Sequence, residues 1–145
     1  MREILFRGKR TDNGQCVEGD LIQLHDGRKY IINNIFGACI DDKGNFINTE
    51  SPFVCKVVPK TVGQYTGLVD RNGKRIFEGD IIKDCDYDHI HTVRYFGDED
   101  YPAFDCHPEI QFCECNGLSH LVAVSAIEVI GNIHDNPELL ERSKG

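Results

Sequence analysis

Short apolar runs, broken by glycine, asparagine and aspartate about every ten residues, set the character of this chain. Arg28-Lys29-Tyr30-Ile31-Ile32 follows Asp26-Gly27, and Phe53-Val54-Cys55-Lys56-Val57-Val58 alternates in part. Ala38-Cys39-Ile40 and Asn45-Phe46-Ile47 flank the turn residues Asp42-Lys43-Gly44. His91-Thr92-Val93-Arg94-Tyr95-Phe96, Ile110-Gln111-Phe112-Cys113 and Leu121-Val122-Ala123-Val124 are rich in β-formers. This spacing predicts many short strands and favours a mainly β protein of the small-barrel kind. Little helix is expected. One turn is placed at Ser125-Ala126-Ile127-Glu128, ahead of a closing strand over 129–133. A short terminal helix follows, with Asn136 as N-cap, Pro137 at N1, and Glu138 in the first turn before Leu139 and Leu140.

The pattern also repeats. Phe6-x-Gly8, Asn13-Gly14 and Val17-Glu18-Gly19-Asp20-Leu21-Ile22 return as Tyr65-x-Gly67, Asn72-Gly73 and Phe77-Glu78-Gly79-Asp80-Ile81-Ile82. The offset is 59 residues up to Asn-Gly and 60 after it, so the second copy gains one residue between turn and strand. Two copies are too few for a solenoid. They predict two similar hairpin units, with Asn-Gly turning the chain once and Glu-Gly-Asp turning it again.

Charge divides the chain in the same place. Of its 145 residues, 24 are acidic and 16 basic, for a net charge of −8. Residues 1–60 hold nine basic and eight acidic groups, a net of +1, and residues 61–145 hold seven and sixteen, a net of −9. A boundary is therefore expected near Val58-Pro59-Lys60, giving a β-rich N-terminal unit over 1–60 and a second domain over 61–145. With 40% apolar residues and no Trp, the core is real but modest. No apolar run approaches the ~18 residues of a membrane span, and the opening residues lack a secretory h-region. A cytoplasmic protein with no membrane partner is expected. Its seven cysteines are then reduced thiols, some of them buried as small hydrophobes.

Three segments together resemble the YopX family of phage and prophage proteins. They are the opening Met1-Arg2-Glu3-Ile4-Leu5-Phe6-Arg7-Gly8-Lys9-Arg10, the centre from Thr61-Val62-Gly63-Gln64-Tyr65-Thr66-Gly67-Leu68 to Glu78-Gly79-Asp80-Ile81-Ile82, and the end Glu128-Val129-Ile130-Gly131-Asn132-Ile133-His134-Asp135-Asn136-Pro137-Glu138-Leu139-Leu140. The resemblance implies an SH3-like small barrel for the C-terminal part and a bacterial, phage-encoded setting. It brings no activity and no catalytic residues. Cys16 stands where the family pattern has an aromatic residue, which points to a core or half-buried packing position.

Candidate chemistry gathers at Cys85, His89, His91, Cys106, His107, Cys113 and Cys115. On strands, His89 and His91 share a face, as do Cys113 and Cys115, so neighbouring strands offer the soft ligands zinc prefers. The spacing lacks the paired Cys-x-x-Cys of a zinc ribbon, and buried thiols with exposed histidines are the simpler outcome. Cys106 and His107 are neighbours that face opposite sides of a strand, which argues against a nucleophile–base pair. Asp84-x-Asp86-x-Asp88 opens like a calcium loop, but His89 and Tyr95 occupy the positions of the required Gly and bidentate Glu, leaving a solvated acidic hairpin. Asp98-Glu99-Asp100 reads as a charged loop tip. The Walker spacing fails, and neither Gly-x-Ser-x-Gly nor His-Glu-x-x-His is present.

The basic group Arg2, Arg7, Lys9 and Arg10 is small against an acidic background, which argues against nucleic acid. Tyr87, Tyr95, Phe96, Tyr101 and Phe104 suit either a barrel core or a protein-binding surface. The expectation is a non-enzymatic accessory protein that docks a protein partner or assembles through exposed sheet edges, with no small-molecule ligand. The alternatives are a metal- or cysteine-dependent enzyme using residues 85–115, and a nucleic-acid-associated factor using the N-terminal basic strand.

Overall fold

The computed structural model describes residues 3–33, 43, 54–97, 102–108 and 116–142. The chain divides into two units, Met1–Gln64 and Tyr65–Gly145. The protein is mainly β, with antiparallel sheets and few helices.

In the first unit, β1 (Phe6–Lys9) turns into β2 (Cys16–Gln23), followed by β3 (Lys29–Ile32), β4 (Val54–Val57) and a 3-10 turn (Pro59–Thr61). The strands lie in the order β4-β3-β2-β1, and the first two residues of β5 (Gly63–Val69) pair with β1. Alternation along β2 sends Val17 inward to meet Ile31, Cys55 and Val57, with Phe6, Leu21 and Val62 packed on them. The sheet curls so far that Arg10 bridges Val57, the Val58 N–H donates to the Lys9 carbonyl (2.8 Å) and the Thr11 N–H to that of Lys56 (3.0 Å). Thr61 secures the same corner by accepting from the Lys9 N–H at 2.9 Å.

In the second unit, the rest of β5 pairs with β6 (Arg75–Phe77). A separate sheet then forms from β7 (Asp80–Asp84), β8 (His89–Tyr95), β9 (Phe104–His107) and β10 (Ile127–Asn132), in the order β10-β7-β8-β9. Helix α1 (Gly117–Val124) lays Leu118 and Leu121 on one face of it, against Ile82, Val93, Cys106, Ile127 and Val129. Helix α2 (Glu138–Arg142) ends the described chain.

Several expectations are corrected. No sheet closes into a barrel among the described residues: the C-terminal sheet is an open run of four strands, and the nearest approach to closure is the single Arg10–Val57 bridge of the first unit. The run Leu121-Val122-Ala123-Val124 belongs to α1 and not to a strand. Its helix is set from outside the run, where Asn116 accepts from the Ser119 N–H (2.9 Å) and Asp105 from the Leu118 N–H (2.8 Å). Those two caps satisfy first-turn donors that an apolar run cannot satisfy itself. The turn expected at 125–128 is already strand from Ile127. The terminal helix forms, but the Asn136 side chain faces backwards and accepts from the Asn132 N–H at 3.2 Å. The strands expected at 38–40, 45–47 and 110–113 lie outside the described residues.

The internal repeat folds as two hairpins with one difference. Both Asn-Gly pairs turn the chain. Glu78-Gly79-Asp80 turns it again, with Gly79 at φ 92°, but Glu18-Gly19-Asp20 runs straight through the middle of β2. There the glycine answers to space, since a Cβ on Gly19 would collide with the Ile32 carbonyl of β3. One tripeptide thus serves two backbone needs.

Candidate functional site

The hairpin of β7 and β8 carries most of the chemistry-bearing side chains to one end of the C-terminal sheet. Asp84 pairs with His89 and Ile82 with His91, so the two imidazoles project from the same face. Their ring centroids are 6.4 Å apart, edge to face at 76°. Tyr87 stacks on His89, also at 6.4 Å, with 29° between the planes. His91 is only 8% exposed, and its Nδ1 lies 2.8 Å from the Pro108 carbonyl. A carbonyl can only accept, so Nδ1 carries the proton. Burial lowers the His91 pKa from its ordinary value, and the bond to Pro108 opposes that shift without cancelling it. The ring is neutral at pH 7.

Cys85 and Cys106 do not join this pair. Cys106 is fully buried among Val93, Leu118 and Leu121, where its sulfur fills space as a small hydrophobe. The Cys85 thiol lies 3.9 Å from the Lys83 carbonyl and 3.8 Å from Glu128 Oε2. Cys113 and Cys115 lie outside the described residues. Among the described residues, no three His, Cys, Asp or Glu side chains group so as to hold a metal ion. Cys106 and His107 do face opposite sides, one buried and the other exposed. Cys16 corrects another expectation, because it is exposed on the outer row of β2 opposite Lys9.

The acidic triplet is not a simple solvated hairpin either. Asp84 is 3% exposed and accepts from the Asp86 N–H at 3.0 Å. Asp86 accepts from the Ala126 N–H at 3.1 Å, and Asp88 pairs with Lys83 at 2.9 Å. Each carboxylate therefore has a structural partner. The hydrogen bond and charge of Asp88 raise the Lys83 pKa. Near the N-terminus, Arg10 grips Asp12 through two bonds of 2.9 and 2.6 Å, and Arg28 pairs with Asp26 at 2.8 Å. Arg2 lies outside the described residues. The aromatic residues split: Phe96 is 2% exposed and belongs to the core, whereas Tyr95 (47%) and Tyr87 (70%) remain on the surface. Tyr95 leans on the half-buried Phe104 with centroids 5.2 Å apart. Tyr101 and residues 98–100 lie outside the described residues.

A second constellation stood out less in the sequence. Asp70, just before the second Asn-Gly, is 6% exposed. One oxygen accepts from the Asn72 and Lys74 N–H groups (2.8 and 2.9 Å), and the other reaches the Val129 N–H at 3.0 Å. Burial alone pushes its pKa up, but the three backbone donors and the Lys74 charge outweigh it and hold the carboxyl below the ordinary aspartate value. The Arg71 N–H donates to the Ile127 carbonyl beside it. Asp80 accepts from the Phe77 N–H across the Glu-Gly-Asp turn at 2.8 Å. The Gly79 carbonyl receives the Ile133 N–H at 2.9 Å. At the chain's end, the Asn132 side chain accepts from His134 and Asp135 N–H groups (3.0 and 2.9 Å) while Asn136 accepts from Asn132. The polar residues of the centre and of the end thus close turns and tie those turns to β10.

A family model described as YopX protein matches residues 5–141. The chain belongs to the YopX family. The central and closing segments that carry the resemblance include turn and strand locks just described, at Asn72-Gly73, Gly79-Asp80 and Asn132 to Asn136. The structure is similar to the crystal structure of protein EF1440 from Enterococcus faecalis, with a TM-score of 0.52 and 24% identity over 97% of this chain and 99% of that chain. That likeness concerns the fold alone. No curated protein matches the sequence. No helix among the described residues is long and apolar enough to cross a membrane.

Proposed function

We propose that this YopX-family chain is a non-enzymatic accessory protein of phage or prophage type, acting in the bacterial cytoplasm by docking to another protein. The observation that carries the reading is the division of labour among its side chains. The polar residues of the central and closing segments are occupied with backbone groups, while large rings stay on the surface: Tyr87 is 70% exposed and Tyr95 47%. Exposed aromatic anchors give large contact area at low entropic cost, as binding surfaces require.

Docking through side chains fits better than pairing through sheet edges. In the C-terminal sheet, β10 already receives Arg71 and donates to Asp70, and the Phe104 carbonyl of β9 accepts from Asn116 at 2.8 Å. Such contacts blunt an edge against strand addition. The test is affinity capture of full-length protein from bacterial extract, followed by reconstitution with purified candidates. The reading predicts a complex of defined stoichiometry that weakens in Tyr87→Ala or Tyr95→Ala. Turnover of a small molecule by protein that forms no such complex would overturn it.

A further inference from the structure

One corner of the C-terminal unit combines exposed apolar surface with an excess of acidic groups. Tyr87, at the β7–β8 turn, and Val124, at the end of α1, are 70% and 63% exposed, the highest values among the exposed large apolar side chains described. They are far apart in sequence, but hydrogen bonds join the chain segments that carry them. The Cys85 N–H donates to the Ala126 carbonyl (2.9 Å), and Asp86 accepts from the Ala126 N–H (3.1 Å). These two bonds clamp the chain just after α1 to the turn that carries Tyr87. The Tyr87 ring is held over His89 rather than buried. Ala123, next to Val124, is exposed as well, and α1 carries no acidic residue in its first turn and no basic one in its last.

The rim of this corner is acidic. Asp86 and Asp88 flank Tyr87 in sequence, and Glu128 approaches Cys85. The nearby base Lys83 is already paired with Asp88. The field around the apolar pair is therefore negative, in the part of the chain whose net charge is −9. That sign discriminates among occupants. Nucleic acid and anionic lipid are repelled. A second copy docked about a two-fold axis would bring Asp86 and Asp88 against their own counterparts, which is unfavourable. A cationic partner is favoured twice over, since an arginine or lysine side chain can lie on the Tyr87 face while its charge meets the carboxylates.

We infer that the corner formed by Tyr87, Val124 and the Asp86–Asp88 rim docks a basic, partly apolar segment of a protein partner. This inference rests on the interaction reading above and gives it a place and a partner chemistry.

The test uses the full chain and a short synthetic peptide alternating arginine and leucine, with a glutamate-for-arginine peptide as control, followed by NMR of backbone amides. The expected result is shifts confined to 85–89 and 123–126, binding that weakens as salt rises, and about tenfold weaker binding for Tyr87→Ala or Val124→Ser. Both side chains are exposed, so unchanged amide spectra elsewhere establish that the variants fold. Equal binding of the two peptides, or shifts indifferent to Tyr87→Ala, would overturn the basic-segment assignment. Shifts centred elsewhere would overturn the corner and leave the interaction reading standing. That reading fails separately, on the capture experiment.

Discussion

Replacing Asp70 isolates the contact that ties the central Asn-Gly turn to β10. Its three accepted bonds, at 2.8, 2.9 and 3.0 Å, come from Asn72, Lys74 and, 59 residues away, Val129. Hydrogen bonds to a charged group contribute about 1.5–3 kcal/mol each, and a buried N–H left without an acceptor costs about 1–3 kcal/mol. The two turn donors lie where water can replace much of what is lost; the Val129 N–H does not. Asp70→Ala is therefore expected to cost about 3–5 kcal/mol. Asp70→Asn is expected to cost about 2–3 kcal/mol, because its amide keeps one acceptor but presents a donor where the second oxygen stood. Urea unfolding at pH 7, read with hydrogen exchange at the Val129 amide, measures both.

The pH dependence supplies a second check on the same residue. The folded pKa is lowered, so the stabilisation is fully present above the unfolded aspartate value of about 3.9 and is lost as pH falls through the folded value. The gap between wild type and Asp70→Asn should narrow over that acid window. An Asp70→Ala protein within about 0.5 kcal/mol of wild type, a scatter ordinary for surface substitutions, would refute the reasoning. So would a gap that stays constant down to pH ~2.

Three further outcomes follow from particular contacts. Gly19→Ala should destabilise by about 2 kcal/mol or more, since its Cβ meets the Ile32 carbonyl, whereas Gly79→Ala should cost about 1–2 kcal/mol from its positive φ; chemical denaturation separates them. Cys106→Ser buries a hydroxyl among Val93, Leu118 and Leu121 and should cost about 1–3 kcal/mol, while Cys16→Ser on the surface should melt with wild type. His91 has a lowered folded pKa, so stability should fall as pH drops below the unfolded value of about 6.5 and level off below the folded one. A His91→Gln protein should lack that slope, and an NMR titration placing His91 at or above 6.5 would contradict it.

The local strand signals were legible because each depended on nearby residues. The Asn-Gly pairs and the runs that form β3 and β4 carry such local signals, whereas the first Glu-Gly-Asp, which reads as a turn, lies inside β2. What could not be read was decided across the chain. The helix at Gly117–Val124 depends on Asp105, which lies 13 residues before Leu118 and caps it. Barrel closure turns on whether end strands meet, and no run of side chains states that. The two Glu-Gly-Asp tripeptides are identical in sequence yet differ in backbone: Gly79 turns the chain at φ 92°, whereas Gly19 runs within β2 against the Ile32 carbonyl. At the candidate site, the shared face of His89 and His91 followed from strand parity. The removal of Cys106 from that site did not, since it reflects α1 covering the sheet. Asp70 was missed although it had a signal. An aspartate two residues before Asn-Gly is an Asx-turn residue, but its second oxygen reaches a strand that sequence could not place beside it.

The central claim is that the polar residues of the central and closing segments hold the fold, while the surface rings are left for binding. Thermal melting of Asn132→Ala beside Tyr87→Ala addresses it most directly. Asn132 accepts from two N–H groups, so its loss, at about 1–2 kcal/mol, should lower Tm by roughly 5 °C or more. Tyr87→Ala should melt with wild type. If Asn132→Ala keeps the wild-type Tm while Tyr87→Ala loses it, the assignment of the two roles is reversed.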